Sequence, residues 1–383
     1  MRIVQITTDS REHFKDYQRP EPYFGTAPEG LLDGFKSYPG AEIHVISCSH
    51  FPTNVPAKLA DNIWFHQPLV GKWGWGRSFF AGCVKAIRSV VREIDPDIVH
   101  GQGTERDCAM AAVLSGRPNV LTIHGNMRVH AKRIENRKES YYKLAAMLES
   151  FCLKHTDGVV AISRYTEELV RNSTRRTWFL PNAVDRLCFE IEAPPQATPR
   201  ILFVGSINER KNPIGLIEAC EPMLRSGECS IAFAGEGNQK SGYWQRFQRL
   251  LDSTPGLQLL DYLDRDALRR EFGRTSILAL PTFEDNCPMV VLEGMAAGLP
   301  VAASRVGGVP DLITHEIDGL MFNPHDPADV RTFLERLVRE PETRSRVGSR
   351  ARLTARERFH PDVIAGEHLK IYSEVLSGSS KDT

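Results

Sequence analysis

The sequence predicts an α/β protein built from two doubly wound domains, each a parallel sheet covered by helices on both faces. Three observations carry this. Short apolar runs alternate with amphipathic stretches along nearly all of the 383 residues, the pattern of strands buried on both faces and joined by crossover helices. The length suits two or three domains, each with its own core. Between two series of strand-like runs lies EIEAPPQATPR (190–200), whose three prolines and few apolar residues resist helix and sheet alike.

The first series reads RIVQIT (2–7), EIHVISC (42–48), DIVHG (97–101), NVLTIHG (119–125), GVVAIS (158–163) and RTWFLP (176–181). The second reads RILFVG (200–205), SIAFAG (230–235), LQLLDYL (257–263), SILALPT (276–282), PVAAS (300–304) and GLMFN (319–323). Helices are expected over 78–94, over 141–154, from about Pro213, and over PDVIAGEHLKIYSEVL (361–376). The expected domains are therefore 1–189, a linker at 190–199, and 200–360. A final helix within 361–383 crosses back to the first domain and ends in the frayed polar tail SGSSKDT.

Composition narrows the function. Lys and Arg number 48 against 48 Asp and Glu, so no global charge draws the chain to nucleic acid. No apolar run reaches the roughly 18–20 residues of a spanning helix. The start MRIVQITTDS reads as a strand and not as a basic–apolar–small leader, so a cytoplasmic protein is expected. Eight cysteines without CxxC pairs read as free buried thiols and not as a zinc site.

Open parallel sheets bind ligands beyond the carboxyl ends of their strands, and two such domains facing each other make a deep cleft. In FVGSINERKN (203–212) a strand runs through Gly205 into a loop with Arg210 and Lys211 and then a helix. Two cations beside a helix N-terminus suit a diphosphate, although the loop would look the same if merely solvated. In PTFEDNCPMVVLEGMAAG (281–298), amides near Met289 and Val290 suit phosphate oxygens. Asp285 and Glu293 suit vicinal diols, with Glu293 read as opening a small-residue helix. The alternative is that these acids only complement the helix dipole, which leaves Glu293 in apolar surroundings without a purpose. In LTIHGNMR (121–128), His124 ends a strand beside Gly125 and is placed to bond a sugar or shuttle a proton; a structural histidine fits equally. His100 and Gln102 of HGQG share that rim, with Arg128 close in sequence to His124. Finally, QPLVGKWGWGRSFF (67–80) mixes aromatics with cations ahead of Lys85, Arg88 and Arg92, and NMRVHAKRIENRK (126–138) adds a basic run. These suit an anionic or lipid-linked acceptor at the inner membrane surface, or simply a solvated face.

Taken in order, these segments resemble the retaining glycosyltransferases of family 4, with the two-domain GT-B fold, over nearly the entire chain. PDIVHGQG and LTIHG, TDGVVAISRYTEELV and FLPNAVD, ILFVGSINERKN, AGEGN and VGGVPDLITHEIDGLMFNPHD each look like a family segment. The resemblance puts the family's Glu-x7-Glu pair on Asp285 and Glu293, the first toward hexose hydroxyls and the second toward the ribose diol. It puts Asn286 to Val290 at the hexose and distal phosphate, Cys287 among them, and Lys211 on the diphosphate. It brings His124 to the transferred sugar and the base near Tyr262 and Leu263. Three departures stand out: Ser206 replaces an arginine, with Arg210 as its substitute; only Gly25 remains of a glycine pair near the phosphates; and Gln102 replaces the second histidine of HxH.

The implied activity is retaining transfer of a hexose-type sugar from a nucleoside-diphosphate sugar, UDP or GDP, to a hydroxyl of a sugar, glycolipid or small molecule in glycoconjugate synthesis. It implies no metal and no cofactor beyond the donor. A phosphorylase or epimerase of the same shape, and a non-catalytic homologue, are the alternatives. A dehydrogenase is disfavoured, because TTDSRE follows the first strand where GxGxxG would open a helix.

Overall fold

The computed structural model describes residues 1–133, 139–192, 194 and 196–379. Among them the first sheet comprises β1 Arg2–Ile6, β2 Glu42–Ile46, β3 Lys58–Ala60, β4 Ile63–His66, β5 Ile98–Gln102, β6 Asn119–Ile123, β7 Gly158–Ala161 and β8 Thr177–Phe179. The second comprises β9 Arg200–Val204, β10 Ser230–Ala234, β11 Leu257–Asp261, β12 Ile277–Leu280, β13 Val301–Ser304 and β14 Leu320–Phe322. Their orders are β3-β4-β2-β1-β5-β6-β7-β8 and β11-β10-β9-β12-β13-β14. All pairs are parallel except β3 with β4.

Every strand expected from the sequence is present, with ends shifted by at most two residues. β3 and β4 were not expected. They are short, β3 at the edge of the sheet and β4 next to it, and a run such as KLA is too brief to show a period. The helix expected from residue 78 begins at Ala81, because Phe79 and Phe80 both take left-handed backbone angles that no helix accepts. An 18-residue helix at Pro341–Arg358 had no counterpart in the sequence reading.

Two compact units result: Met1–Ala183 with the chain from Pro361 onward, and Val184–His360. The break thus precedes the proline-rich stretch expected to be the linker. That stretch stays with the second unit through side chains: the Gln196 amide donates to the Arg274 carbonyl and the Arg352 guanidinium to the Ile191 carbonyl. The final helix, Pro361–Ser379, runs into the stretch read as a tail, whose last residues lie outside those described. It packs on the helix Thr26–Phe35 of its own unit, burying Ile364, Ala365, Ile371, Tyr372 and Val375 with Ile3, Phe35 and Ile43. The Tyr38 hydroxyl donates to the Asp362 carbonyl at 2.9 Å. No helix among the described residues is long and apolar enough to cross a membrane.

Candidate functional site

In the second sheet β9 lies between β10 and β12, so the strand order reverses between β9 and β12. That is the crevice in which open sheets bind ligands. The loops leaving these two strands are stitched together there. The Phe283 amide donates to the Arg210 carbonyl at 2.8 Å, and the Arg210 guanidinium donates to the Glu284 carbonyl at 2.7 Å. Thr282, fully buried, holds its hydroxyl 3.1 and 2.9 Å from the carbonyls of Arg210 and Glu284. Lys211 and Asp285 form an ion pair with side chains only 13% and 15% exposed. The sequence assigned one to phosphate and the other to sugar; in the free protein they hold each other.

The following helix, Met289–Ala296, starts after Pro288 with no side-chain cap. The Pro288 carbonyl accepts from Val291 at 3.0 Å, leaving the first-turn N–H groups of Met289 and Val290 at the positive end of the helix. Gly307 closes the site from the β13 side. Its φ is +54°, and a β-carbon there would lie 1.9 Å from the Asp285 carbonyl oxygen, so only glycine lets the VGG segment reach the acid loop. The Gly308 amide then donates to that same carbonyl at 3.1 Å.

Glu293 does not open this helix but is its fifth residue, 8% exposed. Burial pushes its carboxyl up to about 7; Arg265 and Arg269 pull against that, while Asp185 adds to it. Asp185 pairs with Arg269 at 2.5 Å and caps the turn Arg186–Glu190 through the Leu187 amide at 3.0 Å. Thr282, Gly307, Asp185, Arg265 and Arg269 were all missed in the sequence. Thr282, Gly307 and Asp185 stood in segments already singled out, PTFEDNCPMVVLEGMAAG, VGGVPDLITHEIDGLMFNPHD and FLPNAVD, but without a role; Arg265 and Arg269 stood in none. Ser206 and Arg210 are exposed beside Gly205. Tyr262, 66% exposed, and the half-buried Leu263 follow the outermost strand β11, two strands away from β9.

In the first sheet the order reverses between β1 and β5. Gly25 precedes the helix Thr26–Phe35 with φ +84° and open space where a side chain would stand. The long loop before it is organised by a buried ion pair that the sequence did not reveal, Asp9 with Arg11 at 2.5 Å. Asp9 also accepts from the Tyr23 amide at 3.3 Å. His124 follows β6, its Nε2 3.0 Å from the Gln102 Oε1. Burial, then His368, pushes its pKa down to about 4. With Gln102, Thr122, Asn182 and His368 it lines a cavity of about 10 Å³, room for a single water.

Two residues expected on the acceptor side are engaged elsewhere. His100 is fully buried, bonded to Tyr372 at 2.6 Å and Thr122 at 2.7 Å. Arg128 reaches the Ser173 hydroxyl at 2.9 Å, the Leu169 carbonyl at 2.9 Å and the buried Glu149 at 3.3 Å. Part of the basic run 126–138 lies outside the described residues. Of the sites with metal-ligand chemistry, Cys48, Cys83 and Asp107 bring donor atoms within 4.8 Å of one another. Cys83 and Asp107 sit in the first turns of helices Ala81–Ile94 and Asp107–Val113, whose positive ends disfavour a cation.

Residues 198–340 match the family model described as glycosyl transferases group 1, and residues 37–186 that described as glycosyltransferase family 4. The chain belongs to the group 1 glycosyltransferases. It is 27% identical over 172 residues to a glycosyltransferase of Methanocaldococcus jannaschii, covering 45% of this chain and 44% of the relative. It is 32% identical over 157 residues to the sulfoquinovosyl transferase of Arabidopsis thaliana, covering 40% and 29%. These matches thus span less than half of either relative. Among solved structures, the sucrose-phosphate synthase of Thermosynechococcus elongatus superposes with a TM-score of 0.74 at 17% identity, over 99% of this chain and 100% of that one. Anabaena HepE in complex with UDP-glucose gives 0.69 at 16%, over 99% and 100%. At such identities these structures carry the fold alone: two Rossmann-like units of the GT-B class.

Proposed function

We propose that this glycosyltransferase moves a hexose-type sugar from a nucleoside-diphosphate sugar to an acceptor hydroxyl, with retention at the anomeric carbon. One observation carries the reading: at the β9–β12 reversal the loop of Arg210 and Lys211 is bonded to the loop of Asp285, just ahead of the uncapped first turn of the helix that carries Glu293. Lys211, Arg210 and the amides of Met289 and Val290 stabilise the departing diphosphate, a preorganised electrostatic contribution. In this proposal these groups supply the counter-charge without a metal ion. On donor binding Asp285 turns from Lys211 to a hexose hydroxyl. Glu293, ionised, accepts from the ribose diol. Asn286 and Cys287 contribute backbone groups at the sugar, Tyr262 and Leu263 border the base, and Gly25 admits the phosphates from the first unit. His124 meets the transferred sugar. The UDP-glucose complex of HepE supports a nucleotide-sugar donor by analogy.

A membrane-facing reading of the acceptor has its own observation. Trp73, 76% exposed, borders a groove with Leu69, Gly82 and Ala86, and exposed Lys85 and Arg88 stand beside it. An apolar groove flanked by cations suits a lipid-linked acceptor at an anionic surface.

The test is to incubate the protein with UDP- and GDP-hexoses and a panel of hydroxyl acceptors, following nucleoside diphosphate release and the anomeric proton coupling of the product. Donor-dependent release with a retained anomer is expected. No release from any activated sugar, or an inverted anomer, refutes the reading.

A further inference from the structure

Gln102, at the end of β5, begins a chain of hydrogen bonds leading to the last helix. The Gln102 Nε2 is 3.0 Å from the Gln5 Oε1, and the Gln5 Nε2 is 2.8 Å from the Tyr372 hydroxyl. That hydroxyl is 2.6 Å from the His100 Nδ1, and the His100 Nε2 is 2.7 Å from the Thr122 hydroxyl. Gln5, His100, Gln102, Thr122 and Tyr372 are all buried. Buried polar groups are paired with one another where they can be, so the sense of each bond constrains the next.

The tyrosine is the link that couples the two amides to His100. Its hydroxyl has one hydrogen. When Gln5 donates to it, that hydrogen goes to His100, and Gln102 must present its carbonyl oxygen to His124. The proton of His124 then sits on Nε2 and its Nδ1 is the acceptor. In the opposite sense Tyr372 donates to Gln5 and accepts from His100, both amides turn, and the His124 Nε2 becomes the acceptor; the Gln102 Nε2, 3.5 Å from the His100 Nδ1, favours the first sense. Burial and the neighbouring His368 keep His124 neutral at ordinary pH, so its tautomer is the property left to set.

We propose that Tyr372 is a positioning residue that holds His124 in one tautomer through Gln5 and Gln102, and that the carboxy-terminal helix is thereby part of the catalytic apparatus. The functional half rests on the proposed role of His124 at the transferred sugar; the tautomer half does not.

Nitrogen-15 histidine spectra of the full chain separate the two, with His124→Gln assigning the resonances. Wild type is expected to show one neutral tautomer at His124, protonated at Nε2, and Tyr372→Phe a mixture. Initial rates should then show kcat lowered about two- to fivefold, the share of the population in the wrong form, with the donor KM unchanged. A His124 spectrum unaltered by Tyr372→Phe overturns the inference even if no sugar is transferred by either protein. A mixture with wild-type kcat overturns the catalytic part. Should Tyr372→Phe not fold, Gln5→Leu cuts the same chain within β1 and leaves the final helix packed; the same two readouts decide.

Discussion

At the carboxyl edge of the second sheet the polar groups carry charge and stay partly open: Lys211 with Asp285, Arg210 over the Glu284 carbonyl, Glu293 among arginines. At the same edge of the first sheet, the Asp9–Arg11 pair apart, they are neutral and mostly closed in: His124, Gln102, Gln5, Tyr372 and His100, each bonded to the next. The difference teaches what each edge can receive. Charged groups that reach the surface, such as Lys211 and Arg210, can exchange their partner for a diphosphate, because both states remain compensated. A buried neutral network cannot accommodate a charge. It presents fixed donors and acceptors to uncharged hydroxyls.

The comparison is broken most directly at Lys211. Lys211→Ala removes a cation from the leaving group and leaves Asp285 unpaired. We expect kcat/KM to fall by about 10²–10³, read from initial rates of nucleoside diphosphate release; a loss under threefold would return Lys211 to a purely structural pair. Gly307→Ala should come next. The added carbon meets the Asp285 carbonyl, so the acid loop must shift, costing about 1–3 kcal/mol of stability. A lower melting temperature and weakened binding of a UDP-sugar in calorimetry are expected together; an unchanged donor affinity would detach Gly307 from the site.

Glu293 sharpens the contrast through pH. Its raised value of about 7 means that the buried acid is protonated below that pH and ionised above it. The bound diol needs the anion, so affinity for a UDP-sugar should rise as pH rises through about 7 and then level. Glu293→Gln should flatten that profile and weaken binding by about tenfold or more. The sugar diester is the right probe, since a free diphosphate has its own proton near pH 6. Stability runs the other way. A carboxyl raised in the folded state stabilises it fully below its unfolded value, and that contribution is lost as pH rises through about 7. Glu293→Gln should therefore gain on wild type in thermal stability above pH 7.

The smallest effect belongs to the neutral edge. His124→Gln retains a bonding group toward Gln102 and should lower kcat by about tenfold with donor affinity intact. A change confined to donor affinity would move His124 from the sugar to the nucleotide.

Much of this was legible in the chain. β9 and β12 are continuous apolar runs, and their loops announce themselves by clustering Arg210, Lys211 and Asp285 where a parallel sheet must end. The strand residues needed only periodicity and turn chemistry to be found. What escaped was of another kind. β3 and β4 are too short to show a period. Thr282 and Gly307 look ordinary until the loop they brace is seen. His100 and Arg128 look like surface polar groups in the sequence and prove to be committed to Tyr372 and Glu149.

The sequence by itself determined the two α/β units, the strands, and which loops carry cations and acids, because those follow from contacts between near neighbours and from side-chain period. Only the tertiary structure decided that Lys211 grips Asp285 across 74 residues, that Glu293 is held near neutrality by burial, and that Tyr372 meets Gln5 across 367. Burial and long-range pairing are properties of the packed chain, and no local stretch of residues encodes either one alone.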